Sequence, residues 1–141
     1  MGIVMSNLEA NKKTCLKFFE LATSGQFDAA RALLHDDVTW WILGDLPTSG
    51  THAGPEAVIN LFGMLGQFLA PPIKLNFTEL TAEEDRVAVE MNGDCKFVDG
   101  TPYRTFYHLL FRIKDGKIFS GREYFDTKYV SEVFSMQEVA A

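Results

Sequence analysis

The stretch of residues 103–126, YRTFYHLLFRIKDGKIFSGREYFD, predicts two long β-strands joined by a tight turn. The turn is Asp115-Gly116, because both residue types tolerate the positive φ angles of a two-residue hairpin loop. The flanking strands are predicted over residues 103–114 and 117–126. A second dipeptide of this type, Asp99-Gly100, precedes the first of these strands. We therefore expect a run of antiparallel strands in the C-terminal half of the chain.

Upstream of these strands, apolar residues alternate with polar ones over residues 73–78 and 86–91, which indicates two further strands. Residues 38–43 are a bulky run of β-branched and aromatic side chains and predict an earlier strand. Asp36-Asp37, just before that run, is predicted to form a turn.

The N-terminal part of the chain has apolar residues at helical spacing. Ser6-Asn7-Leu8-Glu9 matches a capping box, so the first helix is expected to begin there and to end at Gly25. A short second helix is predicted over residues 27–34. A third begins at Gly54-Pro55-Glu56, where proline suits the first helical turn, and ends before Pro71-Pro72. Helices followed by consecutive strands predict an α+β fold with helices on one face of an antiparallel sheet.

Length and composition exclude several classes of protein. The 141 residues favour a single domain over residues 1–141. Thirteen Lys and Arg against nineteen Asp and Glu give a net charge of −6, which disfavours a nucleic-acid partner. No apolar run approaches the ~20 residues of a membrane span, so no membrane partner is predicted. Cys15 and Cys95 form no CxxC pair, so we expect reduced thiols in a cytoplasmic protein. No spacing typical of metal, phosphate or dinucleotide sites occurs, so neither a metal nor a cofactor is predicted.

Glu123 is the strongest candidate for chemistry. The two-residue period of a strand places it on one face with Phe119 and Phe125. An ionised carboxylate is costly among apolar side chains, so burial is expected to raise its pKa and allow proton exchange near neutral pH. The alternative is a glutamate held by an arginine, for which Arg104 and Arg122 are available.

Aromatic residues are candidates for the wall of a ligand pocket. Trp40 and Trp41 occupy opposite faces of their strand, and Trp40 shares its face with apolar neighbours. Tyr103 and Tyr107 share a face of their own strand, where their hydroxyls would be rare polar points. The alternative for all four is ordinary packing within the core.

The strand over residues 103–114 is apolar on both faces, because Phe106, His108 and Leu110 alternate with the tyrosine face. A sheet covered by helices on one side usually has a wet second face. We therefore expect a second copy of the chain to cover this face.

Three segments carry a resemblance to a known superfamily. They are residues 36–41 (DDVTWW), 49–58 (SGTHAGPEAV) and the closing hairpin, with DGKI at 115–118 and REYFD at 122–126. Over roughly residues 7–134 the chain resembles the SnoaL-like superfamily, also called nuclear transport factor 2-like or ketosteroid isomerase-like. The resemblance implies a cone-shaped barrel, in which a strongly curved, mostly antiparallel sheet wraps around N-terminal helices in a cystatin-like manner. It also implies an apolar pocket open at one end and a homodimer through the convex sheet face.

The resemblance does not single out one activity. Ketosteroid isomerases use a tyrosine, an aspartate base and a protonated acid, and the matching positions here are Phe18, Ile42 and Leu109. Limonene-epoxide hydrolases use a larger polar set, of which only one aspartate has a counterpart, Glu123; their arginine matches Met91. SnoaL-type polyketide cyclases work with a single acidic base in an apolar pocket, which demands the least of this sequence.

These arguments together predict a small-molecule pocket protein with Glu123 as its catalytic residue and a small hydrophobic molecule as its partner. As an enzyme it would be an acid–base catalyst of the cyclase, isomerase or hydrolase type acting on a polyketide-, terpenoid- or steroid-like compound. The alternatives are a binding module without catalysis and a dimerisation domain with a filled pocket. The predicted ligand-binding residues are Phe18, Trp40, Ile42, Met91, Tyr103, Tyr107, Leu109 and Phe125.

Overall fold

Four helices and seven strands lie within residues 2–140, which the computed structural model describes, with side chains described for residues 7–137. The elements in chain order are α1 (Gly2–Thr23), α2 (Phe27–Arg31), β1 (Leu34–Ile42), β2 (Gly50–Ala53), α3 (Pro55–Phe68), β3 (Leu69–Ala70), β4 (Leu75–Glu83), β5 (Arg86–Phe97), β6 (Pro102–Lys114), β7 (Lys117–Phe125) and α4 (Thr127–Ala140).

All seven strands belong to one sheet with the order β2-β1-β7-β6-β5-β3, and β4 also pairs with β5. The sheet curls into a half-barrel around the N-terminal helices, which confirms the predicted α+β cone. Asp115 and Gly116 both have positive φ angles in the β6–β7 hairpin, as the dipeptide predicted. Gly54 precedes α3 and Pro55 is its first residue, also as predicted.

The first and last strands of the sequence pair in parallel, whereas every other pairing in the sheet is antiparallel. In this pairing Trp40 lies opposite Gly121, and Ile42 lies opposite Glu123. The predicted run of antiparallel strands did not include this contact, because local alternation carries no information about which distant strand becomes a neighbour. The pairing places β1 and β7 side by side in the wall of the cone.

Three local predictions were wrong. The helix α1 begins at Gly2, so Ser6 lies inside it and is no N-cap. Residues 3–5 contain neither Gly nor Pro, so nothing in them stops the helix from extending upstream of the capping pattern. The second helix ends at Arg31, and Leu34 already belongs to β1. Asp36-Asp37 lies within β1, in a segment where the pairing register with β7 shifts between Leu34 and Thr39.

A β-bulge in β7 corrects the predicted position of Phe119. Ile118 pairs with Ile113 and Ser120 pairs with Arg112, so β7 has one residue more than β6 at this point. Ile118 therefore takes the fully buried inward position. Phe119 instead packs edge-on against His35, with 5.1 Å between ring centroids. It does not share the face of Glu123.

The core lies between α1, α3 and the concave face of the sheet. Its centre is a group of aromatic rings in edge-to-face and tilted contact: Phe18, Phe19, Trp40, Phe62 and Phe111. A second cluster forms where α4 meets β5 and β6, and contains Leu69, Cys95, Phe97, Tyr103 and Val130. No helix in the described part of the chain is long and apolar enough to cross a membrane.

Candidate functional site

A cavity of about 220 Å³ lies between the two core clusters, bounded by the concave face of the sheet, by α3 and by α4. Most of its wall is apolar. Three polar groups in the wall are able to bind a ligand or transfer a proton: the carboxyl of Glu123 and the hydroxyls of Tyr103 and Tyr107. The cavity therefore combines an apolar interior with a few oriented polar atoms, as ligand sites commonly do.

Glu123 reaches the cavity from β7, between Ile42 on β1 and Leu109 on β6. Its Oε1 accepts a hydrogen bond from the indole Nε1 of Trp40 at 3.0 Å. Gly121 makes this contact available, because a Cβ there would lie 3.0 Å from Cε3 of Trp40. The indole can therefore lie across β7 and fix the carboxyl from the side.

Burial raises the pKa of Glu123 to about 7, and the hydrogen bond from Trp40 opposes this by favouring the ionised form. The side chain retains partial exposure because it lines the cavity. Near neutral pH the group therefore populates both protonation states, which is the condition for accepting and returning a proton.

Neither arginine proposed in the alternative interpretation contacts Glu123. Arg104 pairs with Asp94, with Nε 3.2 Å from Oδ1. The guanidinium of Arg122 lies over the ring of Trp41, 4.1 Å from its centroid. Within residues 7–137, no salt bridge involves Glu123, so no cation holds it ionised.

The hydroxyls of Tyr103 and Tyr107 lie 3.0 Å apart and share a hydrogen bond. Burial raises the pKa of Tyr103 to about 12 and holds the pKa of Tyr107 well above its usual range. Both phenols are therefore protonated near neutral pH, so the pair is a source of hydrogen-bond donors.

One family model, described as a SnoaL-like domain, matches residues 16–121, which is more than half of the chain. The chain belongs to the SnoaL-like family. The predicted superfamily is thereby confirmed, with no subfamily assigned. A search of curated protein sequences gave no significant match.

Solved structures agree with this SnoaL-like assignment at the level of the fold. Bal32a, from a soil-derived mobile gene cassette, is 24% identical, with a TM-score of 0.77 over 86% of this chain and 93% of its own. TerC, co-crystallised with polyporic acid, is 21% identical, with a TM-score of 0.76 over 87% and 96%. A Jannaschia sp. CCS1 protein, provisionally described as a SnoaL-like polyketide cyclase, is 20% identical, with a TM-score of 0.74 over 87% and 90%. At these identities the similarity shows the fold alone.

Most of the predicted site residues of this SnoaL-like chain line the cavity: Trp40, Ile42, Met91, Tyr103, Tyr107, Glu123 and Phe125. Phe18 and Leu109 do not, and both are fully buried. Phe18 packs behind Trp40, with 5.8 Å between ring centroids. Leu109 is the cross-strand neighbour of Glu123 on β6. These two residues support the wall from behind, and ligand binding by any of the predicted residues stays a prediction.

The sequence interpretation missed a large part of the cavity wall. Loop residues 46–48, the α3 residues Leu61 and Phe68, and the α4 residues Val130 and Phe134 all line it. From the sequence alone, the spacing of Tyr129, Val133 and Phe134 predicts only a short amphipathic segment that covers the pocket mouth or a partner. Nothing local in that segment indicates that it reaches the cavity wall. Within the described residues, no group of three or more His, Cys, Asp or Glu could hold a metal ion.

Proposed function

We propose that this SnoaL-like protein is an acid–base enzyme that acts without a cofactor on a small, flat, apolar ligand, with Glu123 transferring the proton. The observation that carries the proposal is a carboxyl in an apolar cavity, hydrogen-bonded by Trp40 at 3.0 Å and without a cationic partner in the described residues. Perturbed acids in clefts are frequently functional.

The reaction class that fits is proton abstraction next to a carbonyl. The Glu123 carboxylate takes a proton from the acidic carbon, and the electron pair of the broken C–H bond moves into an enolate. The protonated carboxyl then returns the proton to another carbon of the ligand, so the net change is an isomerisation. A positioned acid–base group contributes roughly 10²- to 10⁴-fold in rate. That is adequate only for a substrate whose C–H bond is already activated.

The cavity limits the size of the ligand. Its volume of about 220 Å³ lies below the roughly 300–1,000 Å³ of typical ligand pockets, which favours a compact ring compound. The co-crystallisation of TerC with polyporic acid and the provisional cyclase description of the Jannaschia protein support a flat, oxygenated molecule. A steroid-sized ligand would require the cavity to widen.

The test compares Glu123→Gln with the wild-type protein on a panel of small enolisable ring ketones. Turnover, followed by deuterium exchange at the carbon next to the carbonyl, is expected to be lost, while ligand affinity changes little. Glu79→Gln, at an exposed position of β4, is the matched control and should retain full turnover. Undiminished exchange in Glu123→Gln would reject the catalytic role.

A binding module without catalysis is the second candidate, and the hydrogen bond by which Trp40 fixes the Glu123 carboxyl favours it. In that case Glu123 only orients a hydrophobic ligand. Tight binding by both wild type and Glu123→Gln, with no exchange above the buffer rate in either, is the result that supports this alternative.

We also propose a homodimer through the convex face of the sheet. Phe106 on β6 is 74% exposed there. Trp41 and Tyr124 lie next to each other on the same face, with ring centroids 5.3 Å apart. An exposed aromatic patch of this kind is typical of an interface. The free, buried thiols of Cys15 and Cys95 support a cytoplasmic location for the assembly.

A further inference from the structure

The tyrosine pair of the cavity holds a hydrogen-bond donor that its own contact does not use. Two phenols carry two hydroxyl protons, and one of them bridges the oxygens of Tyr103 and Tyr107. Among residues 7–137 no hydrogen bond takes up the second proton. A buried donor without an acceptor is costly, so this proton calls for an acceptor supplied from within the cavity.

The tyrosine pair lies where a ligand in the cavity would supply this acceptor. Tyr103 and Tyr107 lie four residues apart on β6, on the same side of the strand, and both line the cavity that contains Glu123. Leu109, the next residue on that side, pairs with Glu123 on β7. The donor pair and the acid therefore belong to neighbouring strands and line the same apolar cavity.

The C-terminal helix α4 also contacts the tyrosine pair and the strand that carries it. The ring of Tyr129 stacks on that of Tyr103 at an interplanar angle of 7°, with 6.2 Å between centroids. The Tyr129 hydroxyl accepts a hydrogen bond from the backbone N–H of Arg104 at 2.9 Å, which ties α4 to the strand that carries both tyrosines. Phe134 of α4 also contacts Tyr103, with 5.4 Å between ring centroids.

We propose that the Tyr103–Tyr107 pair binds a carbonyl or hydroxyl oxygen of the ligand through its spare proton, and that α4 holds the pair in position through Tyr129. The inference rests on the proposed function and identifies the groups that hold the oxygen of its ligand. It assigns Tyr103 and Tyr107 to ligand recognition and makes Tyr129 a positioning residue.

The first test uses 1-indanone, a small bicyclic ketone, and indane, the hydrocarbon of the same shape, in calorimetric titrations. The double variant Tyr103→Phe/Tyr107→Phe is expected to bind indanone roughly 2- to 10-fold more weakly than wild type, the loss of about one hydrogen bond, and to bind indane equally well. An equal change for both compounds overturns the proposal. If the wild type binds neither compound, the cavity is not a ligand site and this inference fails with it. If the wild type binds indanone but does not turn over ketones, the proposed catalysis fails and this inference stands.

Infrared spectroscopy gives a second readout that does not depend on the double variant folding. The carbonyl stretch of indanone bound to wild type is expected to lie below its frequency in hexane, because a hydrogen bond weakens the C=O bond. A stretch at the hexane frequency overturns the proposal. Tyr129→Phe should diminish the shift, whereas Tyr124→Phe, on the exposed convex face, should leave it unchanged. An undiminished shift in Tyr129→Phe overturns the role of α4.

Discussion

At the scale of single residues, the protonation of Glu123 links the site to stability. Its pKa rises from 4.5 in ordinary surroundings to about 7 in the fold, so between these values the folded chain holds a proton that the unfolded chain releases. The contribution of Glu123 to the free energy of unfolding is therefore largest below pH 4.5, and it falls as the pH rises from 4.5 to about 7. The cost of the ionised, buried carboxyl above this range is on the order of 3 kcal/mol.

We expect the free energy of unfolding of wild type to fall between roughly pH 5 and roughly pH 8 relative to Glu123→Gln, which has no group to titrate at this position. Urea unfolding at both pH values measures the difference, and the comparison removes contributions from all other titrating groups. Parallel pH profiles for the two proteins would show that Glu123 has an ordinary pKa.

Gly121 is the residue that makes room for Trp40. A Cβ at this position would also lie 3.2 Å from Cε1 of Phe111, and both rings are almost completely buried and cannot move away freely. Gly121→Ala is therefore expected to destabilise the fold by about 1–3 kcal/mol, typical of overpacking. Gly66→Ala, in open space on the exposed face of α3, is the control and should stabilise it by up to about 1 kcal/mol. Thermal unfolding of both variants, each compared with wild type, measures these changes in stability.

Strand periodicity predicted the face of β7 on which Glu123 lies but not the position of Phe119. Glu123 and Phe125 share an inward face as the two-residue period required, because β7 is regular from Gly121 onward. Phe119 was placed wrongly because a bulge inserts one residue and turns it outward. A bulge is set by pairing with the neighbouring strand, and the alternation within β7 alone contains no sign of it.

At the scale of elements, the first three helices and the long strands followed from local patterns, whereas the two shortest strands did not. β2 and β3 were not predicted, because they are only four and two residues long and depend on their partners β1 and β5. The full length of α4 was also missed. Its spacing indicated an amphipathic segment, but its docking depends on apolar residues of α3, β5 and β6 that are distant in sequence.

Phe134 anchors α4, with ring centroids 5.6 Å from Phe68 and 5.2 Å from Phe97. We expect Phe134→Ala to release α4 from the cavity and to cost about 2–3 kcal/mol, less than a fully buried phenylalanine, because the side chain is only half-buried. Hydrogen exchange should accelerate across α4 and remain slow in α3. Met136→Ala, 61% exposed on the same helix, should leave exchange unchanged. Equal protection of α4 in both variants would contradict an anchoring role for Phe134.

At the scale of the whole molecule, substitution of the exposed Phe106 tests whether the protein is a dimer. We expect wild type to sediment as a dimer at micromolar concentration and Phe106→Asp to sediment as a monomer with an unchanged fold, because the side chain contributes little to the core. Val98→Asp is the control, since Val98 is 66% exposed beside the β5–β6 turn, and it should remain dimeric. A wild-type monomer would remove the proposed interface.

The parallel contact between β1 and β7 has a consequence for biosynthesis. The indole and the carboxyl that meet across it are separated by 83 positions, so the indole has no carboxyl to bind until β7 has left the ribosome. Contacts between such distant parts of a chain form late and slowly. A nascent or truncated product that stops before β7 lacks both the Glu123 carboxyl and the part of the cavity wall that α4 supplies. The cavity and its acid therefore come together only after β7 and α4 have been synthesised.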